Sequence, residues 1–147
     1  MSCPLTAPRV AAALALFLLS CLFGCATAET GTKVSVEGGA YRSITPGELG
    51  RMLKSKDFFL VNVHVPYEGE IEQTDSFISY KDTAERIADY PADKGARIVV
   101  YCLTNGMSSI VVRQLVKAGF SNIYMLDGGM TAWKKAGFIL ADRRQAR

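Results

Sequence analysis

Residues 97–113 read Arg97-Ile-Val-Val-Tyr-Cys-Leu-Thr-Asn-Gly-Met-Ser-Ser-Ile-Val-Val-Arg113, which places a strand pattern, a turn and a helix pattern in direct succession. Residues 98–101 form an apolar, β-branched run that is typical of a buried strand. A turn of small and polar residues follows, and the apolar spacing after it predicts a helix capped by Ser108 or Ser109. Cys102 lies where the strand ends, ahead of the helix N-terminus, whose unpaired N–H groups and dipole favour a negative charge. The sequence therefore predicts a cysteine that reacts as a thiolate.

The rest of the chain alternates between helix and strand patterns. Helices are predicted to begin at Thr45, Asp82 and Asp127. Strands are predicted over residues 58–63, 76–80 and 122–126. Thr45, with Pro46 at the first helical position and Glu48 three residues on, forms a capping box. This alternation predicts an α/β fold with a mostly parallel sheet and helices on both faces. Ligands of such sheets bind at the carboxyl ends of the strands, where Cys102 is placed.

Composition limits the classes of protein that the chain can represent. Its 147 residues with 49% hydrophobic content predict one domain with its own core. The net charge of +3 is too small and too dispersed to suggest nucleic-acid binding. Of the four cysteines, Cys3, Cys21 and Cys25 lie near the N-terminus, which leaves Cys102 without a disulfide partner in the domain.

The N-terminal segment predicts export. Residues 10–23 are almost wholly apolar, too short to span a membrane, and fit the core of a signal peptide over residues 1–24. Leu22-Phe-Gly-Cys25 resembles a bacterial lipoprotein box, with lipidation at Cys25, and Leu18-Leu-Ser-Cys21 is a weaker one. Ala26-Thr-Ala28 is an ordinary cleavage site that would instead release a secreted protein. We expect an exported, membrane-anchored lipoprotein in the periplasm or on the outer face of the cell, with secretion as the alternative.

The expected division of the chain follows from these signals. Residues 25–40 are predicted to be a flexible tether, residues 41–140 the domain and residues 141–147 a C-terminal tail.

Three separated motifs resemble one known family. They are Val99–Ser109, Leu115–Phe120 and Asn122–Phe138. Together they look like the C-terminal half of a rhodanese-like sulfurtransferase domain. The resemblance implies a central, mostly parallel five-stranded sheet, a catalytic Cys102 that carries a persulfide, and no cofactor. It also implies that backbone amides of the loop bind the substrate sulfur; these belong to Leu103, Thr104, Asn105, Gly106, Met107 and Ser108. The partners would be a small sulfur-containing donor and a thiol or protein acceptor.

The loop departs from the family pattern in its charge. Family loops often run Cys-x-x-Gly-x-Arg-Ser, whereas here the glycine is Gly106 and Met107 replaces the arginine. Thiosulfate is therefore a doubtful donor, and a neutral, apolar or protein-bound donor is favoured. Arg113 is an accessory candidate for positive charge, although a solvated helix face explains it as well. Ser108 occupies the position where related phosphatases and arsenate reductases need an arginine, which disfavours both activities.

His64 is the single histidine, and it follows the strand over residues 58–63. A Cys–His pair would assist nucleophilic catalysis, while the competing interpretation is a hydrogen-bonded structural histidine. One histidine and one cysteine in the domain cannot form a zinc site. The leading hypothesis is a sulfurtransferase acting through a Cys102 persulfide. The alternatives are a non-catalytic binding module for a partner protein or sulfur species, and a cysteine redox sensor.

Overall fold

The computed structural model describes residues 29–143 of the chain. In chain order its strands and α-helices are β1 (Thr32–Val36), β2 (Gly39–Ile44), α1 (Pro46–Met52), β3 (Phe59–Asn62), β4 (Ser76–Phe77), β5 (Ile98–Tyr101), α2 (Gly106–Lys117), β6 (Ile123–Leu126) and α3 (Gly129–Lys135). Short 3-10 turns occupy Leu53–Ser55 and Ile87–Asp89. The predicted signal peptide and the lipidation site at Cys25 lie outside the described residues.

The strands form one sheet in the order β1-β2-β6-β5-β3-β4. All neighbouring pairs are parallel except β1 with β2. The mostly parallel α/β sheet is therefore confirmed, with six strands rather than the five expected. Because the five strands from β2 to β4 in this order are parallel and end at the same edge, the segments after β3, β5 and β6 meet there.

Two buried clusters lie on opposite faces of the sheet. Helix α2 covers one face with Val111, Val112 and Leu115, and this cluster includes Cys102. Helices α1 and α3 cover the other face with Leu49, Met130 and Trp133. Helices on both faces are thus confirmed. Their packing excludes water from the apolar side chains on each face of the sheet.

The second half of the predicted tether belongs to a hairpin formed by β1 and β2, so the prediction of a flexible segment is wrong there. Val36 pairs with Gly39 across the turn, and Gly38 adopts a φ of +84° that glycine tolerates without strain. The alternation of β-branched and polar residues from Thr32 to Val36 suits a half-exposed edge strand. This antiparallel strand is the sixth strand of the sheet.

Part of the predicted C-terminal tail is also held against the domain. Ala141 and Glu70 exchange two backbone hydrogen bonds of 2.8 Å. Arg143 donates from Nε to Glu70 Oε1 at 2.9 Å and from Nη2 to the carbonyl of Thr74 at 2.9 Å. The described chain is therefore anchored up to its last residue.

The capping box is confirmed, but the helix predicted from Asp82 does not form. The Glu48 carboxylate accepts from the Thr45 N–H at 2.8 Å, a backbone bond that holds the pKa of Glu48 below its ordinary value. After Asp82 the chain makes turns and one 3-10 turn instead. A segment as short as this one forms a helix only weakly on its own. In the observed turns the Thr83 hydroxyl contacts the Ser79 carbonyl and the Tyr90 hydroxyl.

Across residues 29–143 every helix falls short of the length and apolar character that crossing a bilayer requires.

Candidate active site

The sulfur of Cys102 is held by one residue, Ser108. Cys102 directly follows β5 and is 1% exposed. The backbone N–H of Ser108 donates to Sγ at 3.4 Å, and the Ser108 hydroxyl lies 3.2 Å from the same sulfur. Because these contacts link residues six apart, the loop from Cys102 to Ser108 closes back on the sulfur.

The Ser108 hydroxyl has two acceptors for its single proton. Its oxygen lies 3.3 Å from the Asn105 carbonyl as well as near Sγ. When the sulfur is a thiol, the S–H can donate to Oγ while the hydroxyl donates to the carbonyl. When the sulfur is an anion, the hydroxyl can turn and donate to it. The site therefore accommodates a neutral or a negative sulfur through one rotation.

Helix α2 begins earlier than the predicted Ser108 or Ser109 cap. Asn105 is the N-cap residue, and the Ser109 N–H donates to its carbonyl at 2.9 Å. Ser108 is buried beside the sulfur, and the Ser109 hydroxyl donates to Met125 Sδ at 3.8 Å. Both serine hydroxyls are thus engaged elsewhere, and the capping prediction is wrong in position although the helix itself is confirmed.

The start of α3 holds the carbonyl groups of the cysteine loop. The Met130 N–H donates to the Cys102 carbonyl at 2.8 Å, and the Thr131 N–H donates to the Leu103 carbonyl at 2.9 Å. In a trans peptide the N–H points opposite to the C=O. The N–H groups of Leu103 and Thr104 therefore point away from α3.

Gly129 makes this close approach feasible. It has a φ of +54°, and a Cβ atom there would lie 2.2 Å from the Cys102 carbonyl oxygen and 2.4 Å from that of Thr104. Any side chain would push the loop away from α3. Gly129 supports the site from outside the loop, and its signal in the sequence was the pair of glycines after Asp127.

Asn105 ties the loop to the turn after β6. Its Nδ2 donates to Asp127 Oδ1 at 2.9 Å, and its Oδ1 accepts from the Gly128 N–H at 2.8 Å. The residue that caps α3 is Gly128, and Asp127 instead receives the Asn105 amide, so the predicted Asp127 cap is wrong. The paired side-chain contacts were not visible in the sequence because they join residues far apart in the chain.

The predicted ring of loop amides is present only in part. Ser108 supplies the one amide that donates to Sγ within residues 29–143. The N–H groups of Leu103, Thr104 and Asn105 have no hydrogen-bond acceptor in the described part of the chain. Thr104 and Gly106 are exposed, whereas Leu103, Asn105 and Met107 are half-buried. The unused amides are available to a ligand that reaches the loop.

His64 does not pair with Cys102. It is 5% exposed, and neither Nδ1 nor Nε2 has a hydrogen-bond partner in the described structure. Its Nε2 lies 3.7 Å from Glu68 Oε2, and its backbone N–H donates to Asn62 Oδ1 at 3.0 Å. No hydrogen bond joins His64 to Cys102 in the described structure, and the imidazole lies buried beside Glu68, so the interpretation of His64 as a structural histidine stays a prediction.

Arg113 is not brought to the cysteine loop. It lines a cavity of about 640 Å³ between the β1–β2 turn and the second half of α2, together with Glu37 and Lys117. It lies seven residues into α2, roughly 10 Å along the axis from Gly106. The accessory role considered for Arg113 has no support in this geometry.

Three features together define the class of protein. They are the parallel sheet, the cysteine at the end of a central strand, and the loop that returns to the cysteine sulfur. The family model described as "Rhodanese-like domain" matches residues 45–136. The chain belongs to this family. The resemblance noted in the sequence is confirmed by this match, by curated relatives and by solved structures.

Two curated relatives and one solved structure illustrate the likeness. The chain is 36% identical over 98 residues to the protein named Probable adenylyltransferase/sulfurtransferase MoeZ of Mycobacterium tuberculosis, covering 63% of this chain and 24% of MoeZ. It is 28% identical over 94 residues to Thiosulfate sulfurtransferase GlpE of Coxiella burnetii, covering 64% of this chain and 88% of GlpE. A rhodanese-related protein from Thermoplasma volcanium superposes with a TM-score of 0.60 at 25% identity, covering 69% and 98% of the two chains. The chain spans about a quarter of MoeZ, so most of that protein has no counterpart in the match.

Proposed function

We propose that this protein is an exported sulfurtransferase that moves a sulfane sulfur from a donor to a nucleophilic acceptor through a persulfide on Cys102. The observation that carries the proposal is the contact of both the N–H and the hydroxyl of Ser108 with the Cys102 sulfur. Membership of the rhodanese-like family and the sulfurtransferase named among the relatives support it.

In the first half-reaction the Cys102 thiolate attacks the sulfane sulfur of the donor. A new S–S bond forms at Sγ, the donor's own bond to that sulfur breaks, and its electron pair leaves with the rest of the donor. In the second half-reaction a thiol or cyanide takes the outer sulfur and returns the thiolate. The sequence of two covalent steps makes the kinetics ping-pong.

The negative charge of the intermediate is stabilised by preorganised donors. The Ser108 hydroxyl and N–H are aimed at the inner sulfur, and the unpaired amides of Leu103, Thr104 and Asn105 are available to the outer one. Hydrogen bonds from α3 hold the carbonyls of Cys102 and Leu103 and so fix the direction of the N–H groups of the same peptide units. These N–H donors therefore need no reorganisation during the reaction. Loop cations are not needed in this mechanism.

Access to the sulfur requires a side chain to move. Cys102 is 1% exposed, and the half-buried Met107 packs against the cluster that contains it. We propose that Met107 is the side chain that moves, because it belongs to the cysteine loop, packs against this cluster and has three flexible torsions.

Turnover with cyanide tests the proposal. The chain from Glu29 onward contains the whole sheet and both clusters, and it is incubated with polysulfide or an organic persulfide and cyanide while thiocyanate is measured. We expect steady turnover with parallel-line double-reciprocal plots, abolished in Cys102→Ser. Thiocyanate release that is equal in wild type and Cys102→Ser would overturn the proposal.

A second candidate function is a non-catalytic binding module. The burial of Cys102 and the single amide that contacts its sulfur favour it. A folded wild-type protein that takes no sulfur from any donor would support this candidate. Burial also argues against a redox sensor, since sensor cysteines are solvent-accessible.

Export and anchoring are proposed from the sequence of residues 1–28. The apolar run and the box ending at Cys25 support a lipidated N-terminus, and the cleavage site after Ala28 supports secretion. Metabolic labelling with a fatty-acid precursor should mark the full-length protein in cells. Label that persists in Cys25→Ala would move the lipid to Cys21, and no label in either protein would favour secretion.

A further inference from the structure

Residues 139–143, which we call the strap, lie against the segment that joins β3 to β4. Ala141 and Glu70 exchange two backbone hydrogen bonds of 2.8 Å as a short antiparallel bridge. The approach is close at Gly69, where a Cβ atom would lie 3.2 Å from the Ala141 carbonyl oxygen and 3.6 Å from Leu140 Cβ. The strap is therefore packed directly on the joining segment.

Arg143 compensates a buried charge in the joining segment. Glu70 is 7% exposed, and its Oε1 accepts from Arg143 Nε at 2.9 Å, whereas its Oε2 has no hydrogen-bond partner in the described structure. Arg143 also donates from Nη2 to the Thr74 carbonyl at 2.9 Å and from its backbone N–H to the Tyr67 hydroxyl at 3.0 Å. Because a buried carboxylate without a partner is costly, loss of the Arg143 side chain would loosen this segment.

The joining segment in turn holds the residue before the cysteine. Tyr101 is completely buried, and its hydroxyl accepts from the Ile71 N–H at 3.0 Å and lies 2.7 Å from Thr74 Oγ1. Thr74 thus contacts Arg143 through its carbonyl and Tyr101 through its side chain. Since Cys102 directly follows Tyr101, an unbroken series of contacts leads from the strap to the end of β5.

We propose that Arg143 is a positioning residue for Cys102, acting through Thr74 and Tyr101. This inference rests on the proposed sulfur transfer and adds to that site a residue from outside the cysteine loop. Its physical basis is that the end of β5 sets where the Cys102 sulfur lies relative to the two Ser108 donors, at 3.2 Å and 3.4 Å. A displacement of about 1 Å at a reacting atom can lower a rate roughly 100-fold.

Initial rates of Cys102 persulfide formation with polysulfide, followed by intact mass, test the inference. We expect Arg143→Ala and Tyr101→Phe each to lower the rate roughly tenfold in protein that circular dichroism shows to be folded. Because Arg143 acts through Tyr101, the double variant should be no slower than the slower single variant. Arg143→Lys should have an intermediate rate, since lysine keeps the charge and loses the planar fork that reaches both Glu70 and Thr74.

Two comparisons separate positioning from stability. Arg86→Ala is the matched control, because it removes an arginine whose ion pair with Asp89 is exposed and local, and its rate should equal that of wild type. If Arg143→Ala does not fold, Arg143→Ala is made in Glu70→Gln, which has no buried charge to compensate, and is compared with Glu70→Gln alone. The same slowing is expected there.

A merely structural role for Arg143 would lower the free energy of unfolding and leave the rate of the folded protein unchanged. That result, or independent effects of Arg143→Ala and Tyr101→Phe that multiply in the double variant, would overturn the inference while leaving sulfur transfer intact. An absence of adduct in wild type with every donor would overturn the proposed function, and this inference with it.

Discussion

The hydroxyl oxygen of Ser108 lies 3.2 Å from the sulfur of Cys102, and the same residue donates its backbone N–H to that sulfur. One residue therefore supplies a fixed and a rotatable donor. The fixed donor comes from the first turn of α2, where the helix dipole adds to its effect. The rotatable donor lets the site follow the charge of the sulfur during a catalytic cycle.

Removing the Ser108 hydroxyl should slow sulfur transfer. A hydrogen bond to a charged group contributes about 1.5–3 kcal/mol, so Ser108→Ala should lower the rate of persulfide formation roughly 10- to 100-fold. Ser109→Ala is the control, because that hydroxyl contacts Met125 Sδ rather than the cysteine. Rapid-quench mass measurements on both variants give the comparison. A Ser108→Ala rate equal to that of Ser109→Ala would show that the hydroxyl does not act on the sulfur.

Gly129→Ala should damage both stability and activity. The new methyl group would lie 2.2 Å from the Cys102 carbonyl oxygen, so the loop has to move, in addition to the strain of the positive φ. We expect a loss of about 2–5 kcal/mol in the free energy of unfolding, measured by urea denaturation. Gly137→Ala shares the positive φ but meets no atom within 4 Å, and its loss should be about 1 kcal/mol. Similar losses in the two variants would contradict the packing of α3 against the loop.

Asn105→Ala should loosen the loop from the β6–α3 turn. Two side-chain hydrogen bonds are lost, one of them to the Asp127 carboxylate, and the expected cost is about 1–3 kcal/mol of unfolding free energy. Faster labelling of Cys102 by a thiol reagent should accompany it. Asn122→Ala removes a single contact, to the Gly95 carbonyl at 3.2 Å, and should leave the labelling rate unchanged. Unchanged labelling in both variants would show that Asn105 does not restrain the loop.

The domain should lose stability in alkali. Burial raises the pKa of Tyr90 to about 12 and raises the pKa of Tyr101 as well. Above the ordinary tyrosine pKa of about 10, the unfolded chain releases protons that the folded chain retains, so stability is complete below that pH and falls as pH rises. Urea denaturation at neutral pH and at about pH 11 should show this loss.

Tyr101→Phe isolates one contribution to the alkaline effect. The Tyr101 hydroxyl accepts from the Ile71 N–H at 3.0 Å and lies 2.7 Å from Thr74 Oγ1, so its removal should cost about 1–3 kcal/mol at neutral pH. The variant should then lose less stability than wild type between neutral pH and about pH 11. An equal loss in both proteins would mean that Tyr101 does not contribute to the pH dependence.

Local signals in the sequence predicted the fold well where a few adjacent residues decide the structure. The Thr45–Glu48 capping box, the buried strand before Cys102 and the apolar face of α2 are all of this kind. The β1–β2 hairpin was missed although Val34 and Val36 alternate with polar residues ahead of Gly38, a pattern that a search for hairpins would have found.

The details of the site were less accessible because they depend on contacts between distant segments. The Asn105 side chain joins Asp127 and Gly128, which changes the caps of both α2 and α3. The close approach of Gly129 to the Cys102 carbonyl has no local pattern, since it requires α3 to dock on the loop. Cys102 itself was predictable from its place at the end of a strand, whereas its near-complete burial was not.

The most direct test of sulfur transfer is the intact mass of the protein after brief incubation with an organic persulfide and removal of the excess donor. The predicted result is a gain of one sulfur atom per chain on Cys102, reversed by cyanide and missing in Cys102→Ser. A folded wild-type protein whose mass is unchanged, or whose added sulfur survives in Cys102→Ser, would contradict the assignment of Cys102 as the sulfur carrier.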